Sequence, residues 1–183
     1  MDHQPLATRT LPRLTLVLGG AASGKSEFAE NLLLSSGLRP VYMATAEIRD
    51  SEMAAKVSRH RDRRGPEWRD VEAPVDPGPE LAATAAGEVV LIDCLTMWLS
   101  NHLLAGHDPA AQSGKLLAAL AACPVPIIAV SNEVGQGIVP DNALARRFRE
   151  AQGRLNREVA AAADLVVAVM AGLPLVLKGH LAA

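Results

Sequence analysis

The stretch from residue 19 to residue 26 constrains the fold of this chain more than any other feature of its sequence. It reads GGAASGKS and satisfies the pattern G-x-x-x-x-G-K-[ST] in full. An apolar run at residues 14–18 precedes it, and an amphipathic stretch at residues 25–35 follows it. This position between a predicted strand and a predicted helix distinguishes a phosphate-binding loop (P-loop) from an ordinary glycine-rich turn.

A P-loop binds phosphate through backbone amides and the positive end of the helix that follows it. We therefore predict a nucleoside triphosphate site in which Lys25 reaches the outer phosphates and the Ser26 hydroxyl ligates Mg²⁺. Asp93 ends a second apolar run and can hold the same cation; alternatively, it caps the helix predicted from Thr96. The predicted phosphate-binding residues are Gly19, Gly20, Ala21, Ala22, Ser23, Gly24, Lys25 and Ser26.

Short apolar runs alternate with amphipathic segments along the chain, and this alternation predicts a doubly wound α/β fold. Residues 1–12 are predicted to be a flexible extension, and residues 13–183 a single domain. Because parallel strands end at one edge, segments 19–26, 45–47, 93–96 and 132–142 should converge there. The predicted strands are 14–18, 41–44, 89–93, 127–131 and 165–169, and the predicted helices are 25–35, 51–62, 80–86, 96–104, 110–122 and 142–163.

Composition narrows the possible functions. Eighteen Lys and Arg against 20 Asp and Glu give a net charge of -2, which offers no general attraction to nucleic acid or anionic membrane. An aromatic content of 3% is too low for a base-stacking platform. Cys94 and Cys123 lack metal-ligand spacing and are predicted to be buried thiols of a cytoplasmic protein. With no predicted signal peptide or membrane span and no Asn-Lys-x-Asp guanine reader, a small-molecule phosphotransferase fits best.

Residues 56–64 form a strongly basic segment. Such a run is typical of a solvated helix face, yet arginine forks also match phosphate oxygens. His60 lies among these cations, which disfavour its protonation and leave a neutral imidazole available as a nucleophile or base. The segment contains Lys56, Arg59, Arg61, Arg63 and Arg64, with Asp62 as its one acidic residue.

Four segments occur in a characteristic order: GGAASGKS, VYMATAE, EMAAKVSRHRDRRGPEW and SNEVGQGIVPDNALARRFREAQGRLNREVAAAADLV. Together they resemble the bifunctional adenosylcobinamide kinase/adenosylcobinamide-phosphate guanylyltransferase family of cobalamin biosynthesis. The resemblance implies a RecA-like P-loop NTPase fold, with a mostly parallel sheet and helices on both faces. It also implies two reactions: phosphorylation of adenosylcobinamide by ATP or GTP, and GMP transfer from GTP to that phosphate through a histidine-linked GMP.

The resemblance also assigns site residues. The histidine that carries GMP falls on His60, and an acidic nucleotide contact falls on Asp93, where the family often has Glu. Adenosylcobinamide and its phosphate are the implied substrates, GTP, ATP and Mg²⁺ the implied ligands, and a homotrimer the implied assembly. The other implied nucleotide contacts are Ala44, Thr45, Ala46, Arg61, Asp62, Arg63, Arg64 and Glu72.

Two questions stay open from the sequence. A kinase for another metabolite, with a structural His60, or a nucleotide-driven regulatory module would share the same P-loop. The residues that hold the corrinoid are also undetermined. Segment 133–142 is a candidate because Gly135 and Gly137 permit close backbone approach, although a turn without ligand contacts explains these glycines equally well.

Overall fold

A computed structural model describes residues 10–47 and 64–181. Apolar runs form most of its strands, as the sequence predicts. The strands are β1 (Leu14–Gly19), β2 (Arg39–Ala44), β3 (Arg69–Glu72), β4 (Glu88–Asp93), β5 (Ile127–Asn132), β6 (Leu165–Met170) and β7 (Leu173–Lys178). The helices are α1 (Lys25–Leu34), α2 (Gly78–Ala82), α3 (Leu95–Leu104), α4 (Pro109–Ala122) and α5 (Ala143–Ala162).

Within the described ranges the strands form one seven-stranded sheet in the order β3-β2-β4-β5-β1-β6-β7. All neighbouring pairs are parallel except β6 and β7, which are antiparallel. Strand β5 therefore separates β1, which leads into the P-loop, from β4, which ends at Asp93. The carboxyl ends of β1 to β6 meet at one edge, as the predicted convergence of segments requires.

Side chains alternate between two apolar clusters, one on each face of the sheet. In β4, Val90 and Ile92 enter the cluster that α3, α4 and α5 cover, whereas Val89 and Leu91 enter the cluster that α1 covers. Each fully buried aliphatic side chain contributes about 1.5–3 kcal/mol to the free energy of unfolding. The predicted doubly wound arrangement, with helices on both faces, is confirmed. The boundary predicted at residue 13 stays a prediction, and Leu11 is already buried in the second cluster.

Local capping explains where two of the helices begin. The Asp108 carboxylate accepts the amides of Ala110 and Ala111 before α4, and Asn142 Oδ1 accepts the Ala145 amide at 2.9 Å before α5. None of the helices formed by residues 10–47 and 64–181 combines the length and apolar character needed to cross a bilayer.

Some predictions about secondary structure need correction. Strands β3 and β7 were not predicted. Strand β3 (RDVE) contains one apolar residue, and β7 (LPLVLK) is an apolar run whose side chains are exposed at the end of the sheet. The helix predicted over 80–86 is α2 and ends at Ala82. The chain beyond it turns back toward β4, where the Glu88 carboxylate accepts the Ala85 amide at 2.8 Å. The helix predicted over 51–62 lies outside the described residues.

Candidate active site

The P-loop joins β1 to α1 at the carboxyl edge of the sheet. Gly24 has a φ of 89°, a left-handed conformation, and a Cβ at this position would lie 3.2 Å from the Cα of Gly172. Two backbone hydrogen bonds hold the loop: the Glu133 amide donates to the Gly19 carbonyl at 3.1 Å, and the Gly172 amide to the Ser23 carbonyl at 2.9 Å. The residues that follow β5 and β6 therefore fix the shape of the loop.

A cavity of about 460 Å³ opens beside this loop. Its walls include the P-loop backbone, the end of β6, and Glu133 and Gln136 from the segment after β5. Lys25 Nζ donates to the Gly20 carbonyl at 3.0 Å. In the part of the chain that the structure describes, Ser23 Oγ is buried and has no hydrogen-bond partner. Backbone amides, a cation and an unpartnered hydroxyl are groups that suit phosphate oxygens.

Two carboxylates flank the end of β2 at the same edge of the sheet. Ala44 is in register with Asp93 on β4 and with Glu72 on β3. The Tyr42 hydroxyl donates to Asp93 Oδ2 at 3.2 Å. Burial, followed by the nearby Asp93 carboxylate, raises the pKa of Tyr42, so the phenol keeps the proton that it donates. This hydrogen bond orients the Asp93 carboxylate at the strand end.

The alternative role of Asp93 as a helix cap is wrong. The N-cap of α3 is Cys94, whose backbone is extended and whose side chain makes no capping hydrogen bond. Burial raises the pKa of the Cys94 thiol to about 11, so this group stays protonated at neutral pH. Cys94 and Cys123 are both free and buried, which confirms the predicted thiols.

Thr45 joins the ends of β2 and β4. Its buried hydroxyl donates to the Cys94 carbonyl at 2.7 Å and accepts the Cys94 amide at 2.8 Å. Its carbonyl accepts Asn101 Nδ2 at 2.8 Å. These bonds make Thr45 a structural clamp, whereas Ala44 and Ala46 beside it are half-buried at the edge. The nucleotide contacts predicted for Ala44, Thr45 and Ala46 stay predictions.

Arg64, Tyr42, Trp68 and Asp70 form what we call the arginine cluster. The Arg64 guanidinium carbon lies 3.4 Å from the centre of the Tyr42 ring and 5.9 Å from that of Trp68. Arg64 Nη2 donates to Asp70 Oδ1 at 3.3 Å. The side chain is only 5% exposed, yet Arg64 Nε and Nη1 have no hydrogen-bond partner among residues 10–47 and 64–181. Packing thus fixes a permanent cation with two unused donors near the strand ends.

The structure brings most of the predicted site to one edge: the whole P-loop, Ala44, Glu72, Asp93 and the neighbouring Arg64. His60, Arg61, Asp62 and Arg63 lie outside the described residues. Sequence reasoning did not single out individual side chains that the structure adds to this edge. Glu133 and Gln136 had only the signal of lying in the candidate segment 133–142 after a predicted strand, and nothing in the sequence assigned a role to the tyrosine or the tryptophan. The added residues are Tyr42, Trp68, Asp70, Glu133 and Gln136.

A solved structure supports the fold. Flagellar accessory protein FlaH from Methanocaldococcus jannaschii is similar with a TM-score of 0.54 at 13% identity, over 93% of this chain and 80% of that one. This likeness bears on the fold alone. Together with the P-loop and the strand order, it confirms the predicted P-loop NTPase fold of the RecA-like type.

Sequence comparisons identify the family. The family model described as cobinamide kinase / cobinamide phosphate guanyltransferase matches residues 15–177. The bifunctional adenosylcobalamin biosynthesis protein CobP of Pseudomonas aeruginosa is 45% identical over 169 residues, covering 90% of this chain and 97% of that protein. CobU of Salmonella typhimurium, a protein of the same description, is 39% identical over 181 residues, covering 90% and 99%. The chain therefore belongs to the cobinamide kinase/cobinamide phosphate guanylyltransferase family.

Proposed function

We propose that this chain catalyses two consecutive reactions of cobalamin biosynthesis at the edge described above. A nucleoside triphosphate first phosphorylates the hydroxyl of the aminopropanol arm of adenosylcobinamide. GTP then transfers GMP to that phosphate, releasing pyrophosphate and forming adenosyl-GDP-cobinamide. One observation carries the proposal: residues 19–23 of a complete P-loop line a 460 Å³ cavity in a chain that the family model matches over residues 15–177.

In the kinase step, Lys25 and the loop amides neutralise charge that accumulates on the transferring phosphoryl group. Mg²⁺ would be held by the Ser26 hydroxyl and the Asp93 carboxylate. Both are hard oxygen donors at the carboxyl edge, and the Tyr42 hydrogen bond orients the carboxylate, so this pair fits the cation. When bound, the cation offsets negative charge between the outer phosphates.

In the guanylyl step, a nitrogen of the His60 imidazole attacks the α-phosphorus of GTP. The bond from that phosphorus to the β-bridging oxygen breaks, and pyrophosphate leaves. The phosphate of the first product then takes GMP from the histidine. Nucleotide contacts would come from the strand ends and the basic segment, and the two unused donors of buried Arg64 support this assignment. These contacts are Ala44, Thr45, Ala46, Arg61, Asp62, Arg63, Arg64 and Glu72.

Labelled GTP tests the proposal. Label at the α-phosphate should become acid-labile and alkali-stable on the protein, as expected of a phosphoramidate, and cobinamide should become phosphorylated. His60→Asn should lose the adduct and guanylyl transfer but keep kinase activity, while the exposed His180→Asn should behave as wild type. Phosphorylated cobinamide without a protein adduct would indicate a monofunctional kinase. The absence of any acceptor-dependent reaction would indicate a regulatory module.

The proposal includes a homotrimer that acts in the cytoplasm, the compartment that supplies nucleoside triphosphates and keeps cysteines reduced. Strand β7 lies at the end of the sheet and exposes Leu173, Leu175 and Leu177, an apolar edge suited to contact between copies. Light scattering should give three times the chain mass of 19.2 kDa. Segment 133–142 is the proposed corrinoid contact, and its exposed Ile138 and Val139 offer apolar surface for a macrocycle.

A further inference from the structure

We propose that Glu133 is the general base of the kinase step. Its carboxylate would take the proton of the acceptor hydroxyl while the hydroxyl oxygen attacks the γ-phosphorus. This inference rests on the proposed kinase reaction and adds a residue to it. Glu133 follows β5 directly and lines the cavity that the P-loop also lines.

The backbone of Glu133 is held against the P-loop. Asn132 is in register with Gly19, and the next amide, that of Glu133, donates to the Gly19 carbonyl at 3.1 Å. On its other side, Asn132 donates its amide to Thr96 Oγ1 at 2.8 Å, and its carbonyl accepts Asn156 Nδ2 at 3.1 Å. Three hydrogen bonds therefore fix the chain at this point, two of them through the buried side chains of Thr96 and Asn156.

A buried polar network braces the same strand end from α5. Ser131 Oγ donates to Asn156 Oδ1 at 2.7 Å, and Gln152 Nε2 donates to both of these oxygens at 2.9 Å. Burying polar side chains is costly unless they bond to one another, and here the bonds converge on the two residues before Glu133. These buried polar side chains therefore hold the strand end that positions Glu133.

The carboxylate itself is also held. Glu133 Oε1 accepts the Gly135 amide at 2.6 Å, and the Gly135 carbonyl accepts Arg149 Nη2. A Cβ on residue 135 would lie 2.8 Å from Oε1, so glycine at this position makes room for the carboxylate. Oε2 has no hydrogen-bond partner in the described part of the chain and is the oxygen left to receive a proton.

Strand spacing favours Glu133 over the other edge carboxylates. Neighbouring strands lie about 4.8 Å apart, so Asp93, two strands from β1, is roughly 10 Å from the start of the P-loop, and Glu72, four strands away, is roughly 19 Å from it. Glu133 follows the strand next to β1. Asp93 also accepts the Tyr42 hydrogen bond and is proposed to hold the metal.

Phosphoryl transfer moves one proton from the acceptor hydroxyl to Glu133. The acceptor oxygen forms a bond to the γ-phosphorus as the O–H bond breaks and its proton passes to Glu133. The bond between the γ-phosphorus and the β–γ bridging oxygen breaks, and its electron pair leaves with the nucleoside diphosphate. Glu133 then returns the proton to solvent. A positioned general base contributes about 10²- to 10⁴-fold to the rate.

The test compares Glu133→Gln with a matched control, Glu158→Gln, on the exposed face of α5. Glu133→Gln should lower kcat for cobinamide phosphorylation about 100-fold with little change in the KM for nucleotide. The α-label adduct should form normally in both variants, because guanylylation does not use this carboxylate.

Two further variants keep the test decisive. Gly135→Ala displaces the carboxylate without removing it and should lower the same kcat, whereas Glu133→Asp should restore part of it. Wild-type kcat in Glu133→Gln would overturn the inference, as would equal losses of phosphorylation and adduct formation. If the wild-type protein phosphorylates no cobinamide, the proposed function fails and this inference fails with it.

Discussion

The carboxyl edge of the sheet is built in two different ways. In what we call the loop half, which comprises the P-loop and the ends of β5 and β6, main-chain hydrogen bonds from Glu133 and Gly172 hold the phosphate-binding surface. In the cluster half, which comprises the ends of β2, β3 and β4, side chains hold the arginine cluster and Asp93. Main-chain recognition leaves a glycine signature in the sequence, whereas side-chain recognition depends on packing between distant residues.

The supports of the cluster half come from α3. Trp98 Nε1 donates to the Val75 carbonyl at 2.8 Å, and Asn101 Nδ2 donates to the carbonyls of Thr45 and Pro74. His102 Nε2 lies 3.0 Å from the Val75 carbonyl. Because a carbonyl only accepts, Nε2 carries the proton and Nδ1 is the acceptor in its 2.9 Å contact with His107. His102, a titratable side chain, therefore supports the cluster half.

The largest expected effect comes from Lys25→Ala in the loop half. We expect cobinamide phosphorylation to fall at least about 100-fold, because the variant loses a cation that stabilises the transferring phosphoryl group. Circular dichroism should be unchanged, since Lys25 is only half-buried and its loss opens no core cavity. Lys115→Ala on exposed α4 is the control. Wild-type phosphorylation by Lys25→Ala would contradict the role of the P-loop lysine.

Asp93→Asn tests the metal assignment in the cluster half. The amide keeps the size of the side chain but removes the charge that attracts a hard cation. The Mg²⁺ concentration for half-maximal turnover should rise roughly 10- to 100-fold, with a smaller change in nucleotide affinity. A Mg²⁺ titration that matches wild type would exclude Asp93 as a metal ligand.

Arg64→Met should separate binding from stability. Its two unpartnered donors suit phosphate, so we expect GTP affinity to fall about tenfold, the loss of one hydrogen bond to a charged group. The melting temperature of the free protein should change little, because the Asp70 carboxylate that loses this ion pair keeps 35% of its side chain exposed to water. Calorimetry and thermal melts measure the two quantities, and a parallel loss of both would refute a ligand-binding role.

The smallest expected effect is the pH dependence of the free energy of unfolding that comes from His102, which supports the cluster half. Burial lowers the pKa of His102, and nearby His107 and Lys115 act in the same direction, while the hydrogen bond to Val75 and the Asp76 carboxylate oppose them. The folded state thus favours the neutral ring, and the free energy of unfolding should rise with pH up to about 6.5, the ordinary value. His102→Gln keeps a donor for Val75 and should flatten this dependence in thermal melts, whereas exposed His180→Gln should not.

The two halves also differ in how far sequence predicts them. The P-loop and its flanking elements are predictable because glycine at position 24 and a lysine at the first turn encode a local backbone shape. Strand β3 was not predictable from apolar patterning, because RDVE contains one apolar residue. Strand β7 is an apolar run, LPLVLK, but its place at the exposed end of the sheet appears only in the fold. The arginine cluster joins Arg64 to Tyr42 across a sheet, and its unused donors appear only once burial is known.

The role of Glu133 is also only partly predictable from the sequence. Its place after a strand is visible in the sequence, and so is the glycine two residues later. What the sequence does not show is that Gly135 leaves room for the carboxylate, or that residues of α5 brace the strand before it. Such features depend on side chains that meet only in the folded chain.

The turn after β6 makes the shape of the P-loop depend on residues that are synthesised after it. Gly172 donates its amide to Ser23 and packs against Gly24, so the P-loop is completed by residues that the ribosome adds well after the loop itself. A nascent chain that stops before this hairpin has the whole glycine-rich sequence without the partner that shapes it. We therefore expect nucleotide to stabilise the nascent protein most strongly once the hairpin has emerged, which couples ligand-assisted folding to the synthesis of β6 and β7.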